Sequence, residues 1–258
     1  MATWNGTAPS SETPAASLSP LQVPKASDVL ANDLRERILR GDFPEGTSLP
    51  PERELVAQTA MSRTTVREAL RILEVQGLVT IRTGRSGGAF ARRPDSNSVA
   101  NSVELLIRGR QIRLDDLLET REAIEPQCAG LAARYRTNAD LKRLEKLNNQ
   151  IEQAEGASLA EFLQINVDWH MAVAEASHNE LLSGMMRALS LAIYEATDNQ
   201  GFVDAEVRAT TVRAHQTVTN GIRDQDPDAA VRRMTRHVHS YAEALLEVDH
   251  RTDINVGQ

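Results

Sequence analysis

Beyond Pro94 no stretch of the chain convincingly alternates apolar and polar residues, and Gly and Pro interrupt no strand-like run. A polypeptide patterned this way buries its apolar residues as helices packed on helices. The spacing predicts helices near 97–108, 113–136, 138–155, 158–177, 179–199, 204–224 and 227–249. Asp226 is placed to cap the last of these, with Pro227 at its first position, where a missing N–H is harmless. Helices of such length joined by short loops imply an antiparallel bundle.

The pattern before Pro94 is different. Leu30, Leu34, Ile38 and Leu39 recur at helical spacing from Ser27 to Arg40, and Gly41 and Pro44 end the run. A second helix is expected to start near Pro51 and to carry Leu55 and Val56, and Ser62 is a good N-cap for a third with Val66, Leu70 and Leu73 on one face. Gly77 ends that helix, after which Leu78–Arg82 and Ala89–Ala91 read as a small β-hairpin. The expected fold is therefore mainly α: an N-terminal winged helix-turn-helix over residues 25–93, then an all-α antiparallel bundle over 94–250. Residues 1–24, rich in Ala, Ser, Thr and Pro, bury too little to offset their ordering entropy and are expected to be disordered, and 251–258 form a short tail.

Charge separates the two parts. The chain carries a net −7, yet residues 25–93 hold 12 Lys+Arg against 9 Asp+Glu, so the acidic excess belongs to the bundle. A mildly basic module on an acidic body suits DNA contact by the first part alone. On the third predicted helix the exposed residues Arg63, Thr64, Thr65 and Arg67 crowd the N-terminal turn, the end that a recognition helix presents to the major groove. Arginine can pair bidentately with guanine, threonine can bond a base edge or a phosphate, and free N–H groups at a helix start attract phosphate. No segment reaches the roughly 18 consecutive apolar residues that span a bilayer, and no signal peptide is visible. The single cysteine, Cys128, falls in an apolar helical pattern as a small hydrophobe, consistent with a reducing, cytoplasmic setting.

The segments I-x-x-G-x-F-P-x-G-x-x-L-P (38–50), E-R-E-L (52–55) and S-R-T-T-V-R-E-A-L-R-x-L (62–73) resemble the GntR family of bacterial regulators. The resemblance implies operator contacts by Arg53, Ser62, Arg63, Thr64, Thr65 and Arg67, with the wing residues Thr83, Gly84 and Arg85 reaching the minor groove. Ala60 stands where that family usually has Gly in the turn, and Pro51 where a capping Ser is common.

In the second part the polar residues on apolar stripes are the informative ones. Asn166 and His170 lie at i, i+4 on the stripe of helix 158–177, His215 flanks the stripe of helix 204–224, and His237 edges that of helix 227–249. Asp168 and His239 fall on other faces. Inward polar groups from three helices are costly unless something binds them. Imidazoles suit a divalent ion such as zinc or nickel, and an amide oxygen can fill a further position.

The segments N-V-D-W-H (166–170), H-N-E-L-L (178–182) and R-A-H (213–215), with His237, resemble the FCD ligand-binding domain of the FadR subfamily. The resemblance implies a metal held by Asn166, His170, His215 and His237, with Asn at a position where many members have Asp, and leaves His178 outside the set. Arg121, on the stripe Leu117, Ile124, Cys128 and Leu131, is a buried cation that needs an anion: either the carboxylate of an effector or an internal acid such as Glu125. In the subfamily, effectors are often small carboxylates. The expected function is a transcription regulator, a repressor, that binds a near-palindromic double-stranded operator as a homodimer and answers to a small organic acid. The rival is a metal-dependent hydrolase built on the three histidines, but none has the H-E-x-x-H context that supplies a base.

Overall fold

The computed structural model describes residues 24–84, 87–197 and 203–248. The segments expected to be a disordered lead-in (1–24, Pro24 apart) and a tail (251–258) lie outside the described residues, as does Arg85. The chain separates into two compact units at Arg92 and Arg93.

In the first unit, α1 (Ala26–Arg40) buries Leu30, Leu34 and Ile38, and Gly41 stops it in the left-handed conformation (φ 91°), its N–H returning to the carbonyls of Arg37 and Ile38. Next, α2 (Glu52–Thr59) starts after Pro51 and ends at Ala60, which itself adopts φ 54°. A side chain is strained there, and the short α2 accepts that strain to turn the chain into the next helix. Ser62 caps α3 (Arg63–Val75), its hydroxyl accepting from the Thr65 N–H, and Val66, Ala69, Leu70 and Leu73 face the core. The wing is an antiparallel pair, β1 (Val79–Arg82) and β2 (Gly88–Ala91), with Val79 opposite Ala91 and Arg82 opposite Gly88. Leu49 N–H bonds Ala89 C=O at 2.8 Å and Ser48 bridges Phe90, so the loop before α2 is tied to the hairpin.

The second unit is helical throughout: α4 (Ser96–Arg110), α5 (Leu114–Tyr135), α6 (Asn138–Gln153), α7 (Leu159–Ala176), α8 (Glu180–Thr197), α9 (Ala205–Arg223) and α10 (Pro227–Val248). The starts follow from capping side chains: Asp95 for α4, Thr137 with Asp140 in a reciprocal box for α6, Ser158 for α7 and Asp204 for α9. Asp226 caps α10 by accepting from Ala229 N–H at 2.9 Å, with Pro227 at the first helical position as the spacing predicted. A large apolar cluster runs through the bundle, including Leu117, Ala129, Leu144, Trp169, Val218, Met234 and Val238. Cys128 belongs to it, and burial pushes its thiol up to about 12, so it packs as a hydrophobe rather than reacting. Helix α5 packs against α7, α9 and α10, the arrangement that brings their polar residues together. Among the described residues no helix is long and apolar enough to cross a membrane.

Candidate functional site

Two sets of residues are the candidates for function. On the first unit, Arg53, Ser62, Arg63, Thr64 and Arg67 are exposed and Thr65 is half-buried, so α2 and the first turn of α3 present them to solvent. Thr83 and Gly84 are exposed at the wing. Arg67 donates from Nε to Glu52 across to α2 at 2.8 Å, a pair exposed on both sides. Such a pair contributes about 0–1 kcal/mol, too little to keep Arg67 from a phosphate. A groove of about 590 Å³ between α2, α3 and the wing is lined by Thr64 and Arg67 and also by Arg71 and Arg82. Neither of these last two stands out in the sequence motifs. Arg71 lies one helical turn beyond Arg67, and Arg82, whose guanidinium stands 4.4 Å from the Phe90 ring, is brought in only by the hairpin register.

The second set lies inside the bundle. His170 from α7, His215 from α9 and His237 from α10 are all buried, and each offers a nitrogen within 4.8 Å of the others. His170 Nε2 and His237 Nε2 are 3.4 Å apart. That is about the spacing of two nitrogens bound at roughly 2.0–2.1 Å to one tetrahedral ion. His215 is fully buried and stacks on Trp169 (ring centroids 3.7 Å, interplanar angle 8°), while Trp169 Nε1–H donates to Thr219 at 3.3 Å. Neither nitrogen of His215 has a hydrogen-bond partner among the described residues, and the same holds for Oδ1 of buried Asn166, one turn before His170. Orphaned acceptors in a core are rare and costly, and these are all good metal donors. The residues present thus fit a divalent ion.

Arg121 is 2 % exposed, and its Nε donates to Oε1 of Glu125. The other Glu125 oxygen accepts from His170 Nδ1 at 2.5 Å, and Arg121 Nη2 lies 2.8 Å from His170 Nε2. Arg121 also stands 5.3 Å from the Tyr241 ring. Burial by itself would push the Glu125 carboxyl up, but the Arg121 guanidinium and the His170 imidazole beside it hold it lowered to about 2. Burial depresses His170, with Arg121 adding to the effect and Glu125 opposing it. Burial, then the neighbouring imidazoles and Arg121, hold His215 and His237 well below the usual histidine value. All three shifts favour the neutral imidazole, the state a metal requires.

The two alternatives for Arg121 meet here, since its internal partner is Glu125 and it also reaches the imidazole cluster. Glu125 is more than a counter-ion to Arg121, since it also bonds His170; its spacing of four from Arg121 is the one sequence signal for it. Among the described residues the other two histidines lie elsewhere: His178 pairs with Asp140 at 2.9 Å and His239 with Glu122 at 3.1 Å, both exposed. A cavity of about 460 Å³ between α9 and α10 is lined by Thr211, Ala214, Arg236, His237, Ser240 and Tyr241 among others, so it touches the cluster at His237. Its size is in the range of small-molecule sites.

Comparison with known proteins identifies the two domains. Residues 26–87 match the model described as bacterial regulatory proteins, gntR family, and residues 116–240 match the FCD domain. The HTH-type transcriptional repressor NanR of Klebsiella aerogenes is 30 % identical over 86 % of this chain and 85 % of its own length. This chain is a GntR-family transcription regulator of the FadR subfamily. The Uxu operon transcriptional regulator of Escherichia coli is 29 % identical, over 86 % of this chain and 87 % of that protein. A solved Streptococcus agalactiae GntR structure superposes with a TM-score of 0.64 at 28 % identity, covering 84 % of this chain and 99 % of that one. The family is one of transcription regulators, not enzymes, so the hydrolase alternative falls; the helix-turn-helix implies DNA binding.

Proposed function

We propose that this regulator binds a near-palindromic operator as a cytoplasmic homodimer through residues 25–93, and that a small carboxylate-bearing effector, anchored on a divalent ion in the helical domain 94–250, controls that binding. The observation that carries the reading is the buried cluster of His170, His215 and His237, with both nitrogens of His215 unpartnered among the described residues, beside a buried guanidinium and a cavity. The ion, held by the three histidines with Asn166 as a further ligand, would supply a Lewis-acidic anchor for a carboxylate, and Arg121 offers the second clamp. Zinc and nickel suit these donors. The direction of control is taken as repression, on the likeness to NanR. An effector regulates only if it binds the DNA-competent and incompetent states unequally, a coupling of commonly about 1–3 kcal/mol.

The test is elemental analysis of protein purified without chelator, together with mass spectrometry of copurifying small molecules. Stoichiometric metal, lost in His215→Ala and His237→Ala, is the expected result; wild-type protein that holds none and takes up neither zinc nor nickel would end the metal reading.

Operator contacts are assigned to Arg53, Ser62, Arg63, Thr64, Thr65 and Arg67 on α2 and α3 and to the wing residues Thr83, Gly84 and Arg85, of which Arg85 lies outside the described residues. Arg63→Ala should weaken operator binding by about 1–3 kcal/mol, the worth of a bidentate contact to guanine, with helix content unchanged. Footprinting that finds the variant as tight as wild type would reassign the recognition helix. Because linkage of two winged domains multiplies affinity, light scattering at micromolar concentration should give the mass of a dimer. A monomer that still binds one half-site tightly would contradict this.

A further inference from the structure

A guanidinium nitrogen is only a donor. The contact of Arg121 Nη2 with His170 Nε2 at 2.8 Å therefore makes Nε2 the acceptor and leaves the imidazole proton on Nδ1, where it is donated to Glu125 at 2.5 Å. Glu125 is the hinge of this arrangement, since its other oxygen takes the Nε–H of Arg121. The carboxylate thus fixes the tautomer of His170 and the direction of Arg121 at once, and all three groups are buried. Nε2 has one lone pair. It is also the nitrogen that lies 3.4 Å from His237 Nε2, so it is the atom an ion shared with His237 must use.

We propose that Arg121 and the divalent ion compete for the Nε2 lone pair of His170, so that loading the ion requires the outer arm of the guanidinium to leave. The inference rests on the metal reading above and goes beyond it by naming a second claimant for the ligand atom. A positive group against the site opposes a second positive charge both by occupying the lone pair and by repulsion in a buried, low-dielectric setting. Glu125 can keep Arg121 Nε throughout, so only the terminal nitrogens need to turn. Release of those donors and arrival of the ion become one event, and a buried guanidinium with freed N–H groups is an anion site. Arg121 is then a second carboxylate clamp only in the ion-loaded protein.

The probe is zinc alone, titrated against a chromogenic chelator with wild-type protein and with Arg121→Met, which keeps the length and removes the charge. Zinc should bind the variant at least tenfold more tightly. Equal affinities, or weaker binding by a variant of native helix content, would overturn the exchange while leaving the metal site standing. Zinc binding by the variant but not by wild type would support the exchange in its strongest form and sink the reading that the native protein is metal-loaded; no binding by either would sink both. Because Arg121→Met leaves Glu125 buried without its cation and can impair folding, a zinc-loaded wild-type crystal structure supplies the independent check. Zinc on His170 Nε2 with Arg121 Nη2 moved beyond hydrogen-bond reach is expected, and zinc on His215 and His237 with Arg121 still on His170 would refute the proposal.

Discussion

Replacing His215 by Phe is expected to stabilise the metal-free protein while abolishing zinc binding. Both nitrogens of His215 are buried without a partner, and such groups each forfeit hydrogen bonds to water, a penalty of about 1–3 kcal/mol. A phenyl ring has no such groups and can keep the stack on Trp169, now at 3.7 Å between centroids. Its slightly greater volume offsets part of the gain, so a net of about 1–2 kcal/mol is expected. That corresponds to roughly 2–4 °C in Tm for each kcal/mol in a unit of this size. Added zinc should raise the wild-type Tm, by the equivalent of about 4 kcal/mol at a thousandfold excess over Kd, and should leave His215→Phe unmoved. Removing a ligand would then raise intrinsic stability and remove the ligand-linked part. Thermal scans of the two proteins with chelator and with zinc decide the matter: a variant less stable than wild type in chelator would mean that His215 is paired and serves the core, not an ion.

The fold was readable because capping side chains and apolar spacing agree over most of the chain. Ser62, Asp204 and Asp226 each stand directly before an apolar-periodic run and each caps a helix. The inward histidines were readable for the same reason, since a helical wheel places His170, His215 and His237 on or beside buried stripes. What each of them touches depends on how four helices cross, and spacing within one helix carries no information about that. Trp169 illustrates the limit: it adjoins His170 in sequence, yet it stacks on His215 from α9 and bonds Thr219 one turn further along that helix. Glu125 was visible as a partner for Arg121 at i+4, but its second bond, to His170, joins residues 45 apart in sequence. The turn at Ala60 is a different case. The sequence departs there from the glycine usual in the family, and the backbone still takes the left-handed conformation at φ 54°, because packing of α3 outweighs a local strain of about 1–2 kcal/mol.

Acid should weaken the metal-free helical unit well above the pH at which carboxylates protonate. In the unfolded chain each histidine titrates near 6.5, whereas the folded unit holds His215 and His237 well below that and depresses His170 as well. The folded pKa values are the lower ones, so the unfolded state binds more protons below pH 6.5, and stability present above that pH is lost as pH falls. For His215 and His237 the loss sets in as pH falls below 6.5, and each can contribute no more than the limiting slope of about 1.4 kcal/mol per pH unit. Exposed His239, raised by its bond to Glu122 and by Glu243, works in the opposite sense. Glu125 belongs to a separate window. Lowered to about 2 in the fold, it contributes stability above its ordinary value of 4.5 that is lost only as pH falls below that. Denaturant unfolding followed by tryptophan fluorescence at pH 7.5, 6.5 and 5.5 should therefore show a fall beginning near 6.5, shallower in His215→Phe. A stability that is flat from pH 7.5 to 5.5 in wild type would show that these imidazoles accept protons in the folded state, and would remove the case for a neutral, metal-ready cluster.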